Sequence, residues 1–134
     1  MVRPSIRVAT PDAANLLDGI FSVNLGQMRR SGASPKGMPI LRGIQTGRVK
    51  YNRRDPEEEW QTWDQLVRQL EGGGTAEGDC EDLSAAVAAE MTFAGEPART
   101  YVYKSGPTLY HVVVKSKRWG VIDPSRAAGM GGNG

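Results

Sequence analysis

A single cysteine, a single histidine and only two phenylalanines stand among the 134 residues, and these scarcities close off several kinds of chemistry. One cysteine cannot form an internal disulfide, so nothing requires an oxidising compartment. One cysteine with one histidine cannot make a structural zinc site, and no metal or cofactor is expected. No apolar run approaches the roughly 20 residues that cross a bilayer, so no membrane contact is expected. Met1 to Thr10 holds arginines but no apolar stretch of the kind a secretory signal carries. The expected setting is the cytoplasm. Hydrophobic residues make up 39% of the chain, low for a compact domain, beside 17 glycines and 8 prolines. A core is expected over part of the length and an arm over the rest.

The net charge of +2 conceals a division. Met1 to Arg54 carries ten Lys/Arg against two Asp/Glu, a balance of +8, whereas Asp55 to Gly134 carries seven against thirteen, a balance of −6. Halves of opposite sign suggest a basic arm that docks on an acidic surface, of its own domain, a neighbouring copy or another partner, or on nucleic acid, or else a solvated tail. The domain itself is not expected to bind nucleic acid, since its aromatic and basic residues are not interleaved as a stacking groove requires.

Thr10-Pro11-Asp12 reads as a helix start, and Ala13, Leu16, Leu17, Ile20, Phe21, Asn24 and Met28 follow at helical spacing. Arg29 to Gly47, rich in glycine, proline, serine and arginine, has no sustained period and reads as arm or linker. Asp55-Pro56 predicts a second helix start, with Trp60, Trp63, Leu66, Val67 and Leu70 on one face and Gly72-Gly73-Gly74 as its stop. Asp79 predicts the cap of a third helix, with Cys80 in its first turn and Asp82 three residues after the cap. Leu83, Ala86, Val87, Met91 and Ala94 give that helix a buried stripe, and Gly95 with Pro97 ends it. Three strand-like runs follow, Arg99 to Lys104, Thr108 to Lys115 and Trp119 to Asp123. The expected class is α+β, a helix packed on an antiparallel meander. The division is a basic arm over 1–47, a domain over 48–126 and a glycine-rich tail over 127–134.

A thiol is a nucleophile when ionised, and a helix N-terminus favours the thiolate. Asp79, Glu81 and Asp82 oppose that ionisation, so Cys80 needs a base, and His111 is the one candidate in the sequence. A histidine in that role is oriented through its other nitrogen, and Asp123 is placed to do so. If Ser116-Lys117-Arg118 forms a three-residue loop, Lys115 pairs with Trp119 and His111 lies opposite Asp123, with β-carbons about 4.5–5.5 Å apart. A two-residue loop would put Asp123 opposite Tyr110, on the wrong face.

Four segments carry a family resemblance: Gly78-Asp79-Cys80-Glu81-Asp82-Leu83, Gly95-Glu96-Pro97-Ala98-Arg99, Tyr110-His111-Val112-Val113-Val114, and Trp119-Gly120-Val121-Ile122-Asp123-Pro124. In that order they resemble the transglutaminase-like superfamily, within the papain-like fold, over roughly Tyr51 to Ser125. The likeness is nearest to the short transglutaminase-like proteins of phages and prophages, where Arg54-Asp55-Pro56 also has a counterpart. The resemblance implies a catalytic triad of Cys80, His111 and Asp123. It implies amide hydrolysis or acyl transfer on a protein or peptide through a thioester. The oxyanion donors would be the Cys80 backbone N–H and an upstream side chain, for which Trp60, Gln61 and Trp63 are candidates. Glu81 stands where transglutaminases carry an aromatic residue. The small domain gives no reason to carry over the calcium of the animal enzymes. A second reading keeps the fold with little or no catalysis, as a virion structural or assembly protein whose basic arm contacts other chains.

Overall fold

The structure, a computed structural model, describes residues 10–32, 37–52, 61–104 and 110–129. Among these the order is α1 (Thr10–Ser31), α2 (Pro39–Thr46), β1 (Val49–Tyr51), α3 (Trp63–Leu70), a 3-10 turn (Glu71–Gly73), β2 (Ala76–Gly78), α4 (Cys80–Phe93), β3 (Ala98–Lys104), β4 (Tyr110–Ser116), β5 (Gly120–Ile122) and α5 (Pro124–Ala127). The chain is α+β. No helix among the described residues is long and apolar enough to cross a membrane.

α4 is the centre. It packs against α1, α2, β3, β4 and α5, and every residue from Cys80 to Met91 is buried. Its alanines explain the close packing, since a methyl lets helix and sheet approach on several sides at little entropic cost. Its own Leu83 and, around it, Leu17 of α1 and Leu66 of α3 are fully buried, each contributing roughly 1.5–3 kcal/mol of apolar burial. Thr92 Oγ1 closes the turn into β3, accepting from Ala98 N at 3.1 Å and donating to Ala98 O at 3.0 Å.

β3, β4 and β5 form the expected antiparallel meander, with Val102 opposite Val112 and Val114 opposite Ile122. Side chains alternate across a strand. Val102, Val112 and Val114 therefore share an inner face, buried among α1 and α4. Tyr101, Tyr103 and Val121 share the outer face and are exposed. β1 and β2 make a separate parallel pair that the sequence reading lacked, with α3 in the crossover such a pair needs.

Four expectations are corrected. The segment read as arm holds α2, whose Ile40 and Ile44 join Met28 of α1 in the core beside Leu83 and Val87. The division at residue 47 thus runs through one shared core. At the other end, Tyr51 N donates to Ala128 O at 3.0 Å and Ala128 packs on that core, so the domain runs past residue 126. The tryptophan helix starts at Trp63 with Thr62 in a capping box with Gln65; Asp55, Pro56 and Trp60 lie outside the described residues, as do the turn at Ser105-Gly106-Pro107 and the end of the tail. Finally, the β4–β5 loop is Lys117–Trp119, closed by the Ser116–Gly120 pair. Gly120 adopts a φ of 75°, in the left-handed region that favours glycine, which moves the loop one residue along.

α2 has an unusual start. Met38, at its cap position, has a φ of 39° and offers no side-chain cap. Glu90 of α4 replaces it, accepting from Ile40 N at 2.7 Å and Leu41 N at 2.9 Å. A carboxylate at a helix N-terminus satisfies orphan N–H groups and opposes the dipole. Here it arrives from 50 residues away.

Candidate functional site

The segment Gly78 to Leu83 builds the start of α4 residue by residue. A Cβ on Gly78 would come within 3.0 Å of Asp82 Cβ and 3.1 Å of Leu83 Cδ2, so glycine lets β2 lie against the first turn. Asp79 caps the helix, its Oδ1 accepting from Asp82 N at 3.0 Å, while Asp82 Oδ2 accepts from Asp79 N at 3.2 Å. Asp82 also accepts from Gln61 N at 2.8 Å and Gln61 Nε2 at 3.1 Å, which fixes the chain upstream of α3 beside the cap. The capping box expected from the sequence is present. Cys80 is the first residue of the helix.

His111 and Asp123 are joined. His111 Nε2 lies 2.9 Å from Asp123 Oδ2, with the histidine side chain 6% and the aspartate 18% exposed. Asp123 follows β5 and caps α5, its Oδ1 accepting from Arg126 N at 3.2 Å. Arg126 Nε stands 3.4 Å from Oδ2. The carboxylate is thus held from two sides and presented to the ring. Tyr103, the cross-strand partner of His111, meets it edge-on with centroids 5.7 Å apart.

Cys80 occupies a different layer. It is 7% exposed and belongs to the cluster of Leu17, Ala85, Val102 and Val112 on the inner face. His111 precedes Val112 and therefore points to the outer face. The structure thus brings His111 to Asp123 but sets Cys80 on the opposite face, where Ser84 Oγ, one turn beyond it, donates to Val112 O at 3.1 Å.

Trp63 is not available as an oxyanion donor. Its indole N–H donates to Glu90 Oε2 at 2.9 Å, in the core, and its backbone N–H donates to Asn24 Oδ1 at 2.7 Å. Gln61 Nε2 is engaged as well, by Glu77 O at 2.7 Å and by Asp82. The sequence reading missed Glu90, a fully buried acid; a glutamate set after a run of alanines was its one signal. Burial pushes its pKa up from 4.5 to about 7, against the pull of its three donors. Among the described residues no group of three or more His, Cys, Asp and Glu stands close enough to hold a metal ion. No family model, no curated protein and no solved structure matches the chain.

Proposed function

We propose that the chain is a transglutaminase-like thiol enzyme that cleaves or exchanges an amide bond, with Cys80 as nucleophile, His111 as base and Asp123 as the group that orients it. The observation that carries this reading is the His111–Asp123 contact of 2.9 Å at a nearly buried imidazole. With Nε2–H donated to the carboxylate, Nδ1 keeps the lone pair that a general base needs. β5 pairs with β4 only as far as Val114, leaving the stretch that carries His111 without β5 beside it, and Ser84 brings the first turn of α4 against that stretch. The reading requires thiol and imidazole to meet around this edge. The thiol proton passes to Nδ1, sulfur adds to the carbonyl, and the Cys80 N–H at the helix start holds the oxyanion. Collapse returns the proton to the leaving amine and leaves a thioester, which water or a second amine opens.

The test is alkylation of Cys80 by iodoacetamide across pH, on the native chain, on His111→Ala and on the urea-unfolded chain. An activated thiol reacts well below the ordinary pKa of about 8.5 and slows markedly without His111. Equal rates in all three would overturn the enzyme reading.

A second reading has its own observation. Cys80 sits among apolar side chains, the usual place of an inert core thiol. The fold would then serve assembly, as in a virion component, with partner chains contacting the outer side of α1, where Leu16 is 51% and Val23 is 47% exposed.

A further inference from the structure

The charge division along the chain looks different in space. From Ala98 to Ala127 there are six Lys/Arg and one aspartate, Asp123, which is engaged by His111. The other acids of the C-terminal half precede the sheet in sequence. Glu96, two residues before β3, pairs with Arg118 at 2.6 Å, and the remaining cations still make the meander a basic element within an acidic half.

Its outer face also carries exposed rings. Arg99, Tyr101 and Tyr103 stand in a row on β3, and Lys115 lies opposite Arg99 on β4. Tyr101 and Tyr103 are 39% and 37% exposed, and their rings are nearly parallel, with centroids 6.3 Å apart and 23° between planes. At the hairpin end Trp119 is 59% exposed. A cation accompanies two of the rings: Lys115 Nζ lies 3.5 Å from the Tyr101 centroid and the Arg118 guanidinium 5.0 Å from that of Trp119. The pairing of β3 with β4 sets Lys115 over Tyr101 beside Tyr103, so rings and a cation distant in the sequence meet on one face.

We infer that the outer face of the β3–β4–β5 sheet binds single-stranded nucleic acid. Bases stack on exposed rings without regard to sequence, while flexible cations beside the rings take the phosphates. The ring spacing of 6.3 Å gives successive bases separate platforms. Lys115 leaves the Tyr101 face for a flanking phosphate when bases arrive, and Arg118 exchanges its Glu96 partner, at 2.6 Å, for another. An acidic protein surface would use the cations but gives no account of two near-parallel tyrosines and a tryptophan in the open. The inference does not need Cys80 to act, although the same face carries His111, which Tyr103 meets edge-on.

The test is fluorescence anisotropy of a labelled 20-nucleotide oligo-dT with the full chain, beside a labelled poly-glutamate peptide. Circular dichroism checks that each variant is folded. With Arg99, Lys115 and Arg118 engaged, the log of the affinity is expected to fall against log salt with a slope of about −2. Tyr101→Ala and Trp119→Ala are each expected to weaken binding about tenfold. The double variant Arg99→Glu, Lys115→Glu is expected to abolish it and to flatten the slope. No binding at about 50 mM salt, or binding that all of these variants leave intact, overturns the inference. Equal affinity for poly-glutamate with no loss at Tyr101→Ala or Trp119→Ala also overturns it, and assigns the face to an acidic protein.

Discussion

His111 and Asp123 are in contact although they are not cross-strand partners. The pair Val114–Ile122 sets the register of β4 with β5, so the two residues sit on a diagonal, on the same face. Diagonal neighbours lie within reach of long side chains. The loop expected from the sequence put them directly opposite. The real loop, one residue later, shifts the register by two and so preserves the face.

Asp123 also caps α5, and the two roles separate by substitution. Asp123→Ala is expected to cost about 1–2 kcal/mol in urea unfolding, from loss of the cap. Asp123→Asn keeps an oxygen for Arg126 N and should cost less than half of that. Both should slow alkylation of Cys80 if the proposed triad operates. Equal stability losses for the two would show that the cap contributes nothing.

Glu90 imposes a pH dependence of definite sign. Its pKa in the fold, about 7, exceeds the ordinary 4.5, so the folded chain holds this proton better than the unfolded one. The corresponding stability is fully present below about pH 4.5 and is lost as pH rises through about 7, a total of about 3 kcal/mol. Urea-unfolding free energies measured from acid to mildly alkaline pH should therefore decline in the native chain relative to Glu90→Gln, which cannot titrate there. Parallel curves would mean that Glu90 does not titrate in that window.

Two glycines should respond in opposite directions to alanine. Gly19 lies within α1 with nothing within 4 Å of a built Cβ, so Gly19→Ala should stabilise by about 0.5–1 kcal/mol. At Gly43 the same methyl would lie 2.5 Å from Val49 Cγ2, between α2 and β1. Gly43→Ala should destabilise by about 1–3 kcal/mol through overpacking. Thermal melts of the two variants make the comparison directly.

Removal of residues 1–47 tests the shared core. Leu17, Met28, Ile40 and Ile44 are buried against residues beyond 47, and Asn24 and Glu90 tie α1 and α4 to α3 and α2. The truncated chain is expected to lack cooperative unfolding and to expose apolar surface to a hydrophobic dye. A cooperatively folded fragment would restore the boundary read from composition.

The sequence by itself determined the local features. Asp79 with Asp82, Gly78 before them and Gly95 after fix the start and end of α4, because capping contacts span three or four residues. The three strands and their order were legible from β-branched and aromatic runs. Given a three-residue loop, so was the shared face of His111 and Asp123, since alternation survives a register shift of two. Tertiary structure decided what depends on distant partners. Pro39 to Thr46 shows no strong helix signal, and its helix is capped by Glu90 from another element. Thr62 took the capping role expected of Asp55 for the helix of Trp63, whose backbone N–H is accepted by Asn24. The depth of Cys80 beside Val112, and the meeting of Tyr101 with Lys115, follow from strand pairing and helix docking. Periodicity along one segment specifies which side of it is apolar, and only the packing of all segments specifies what that side meets.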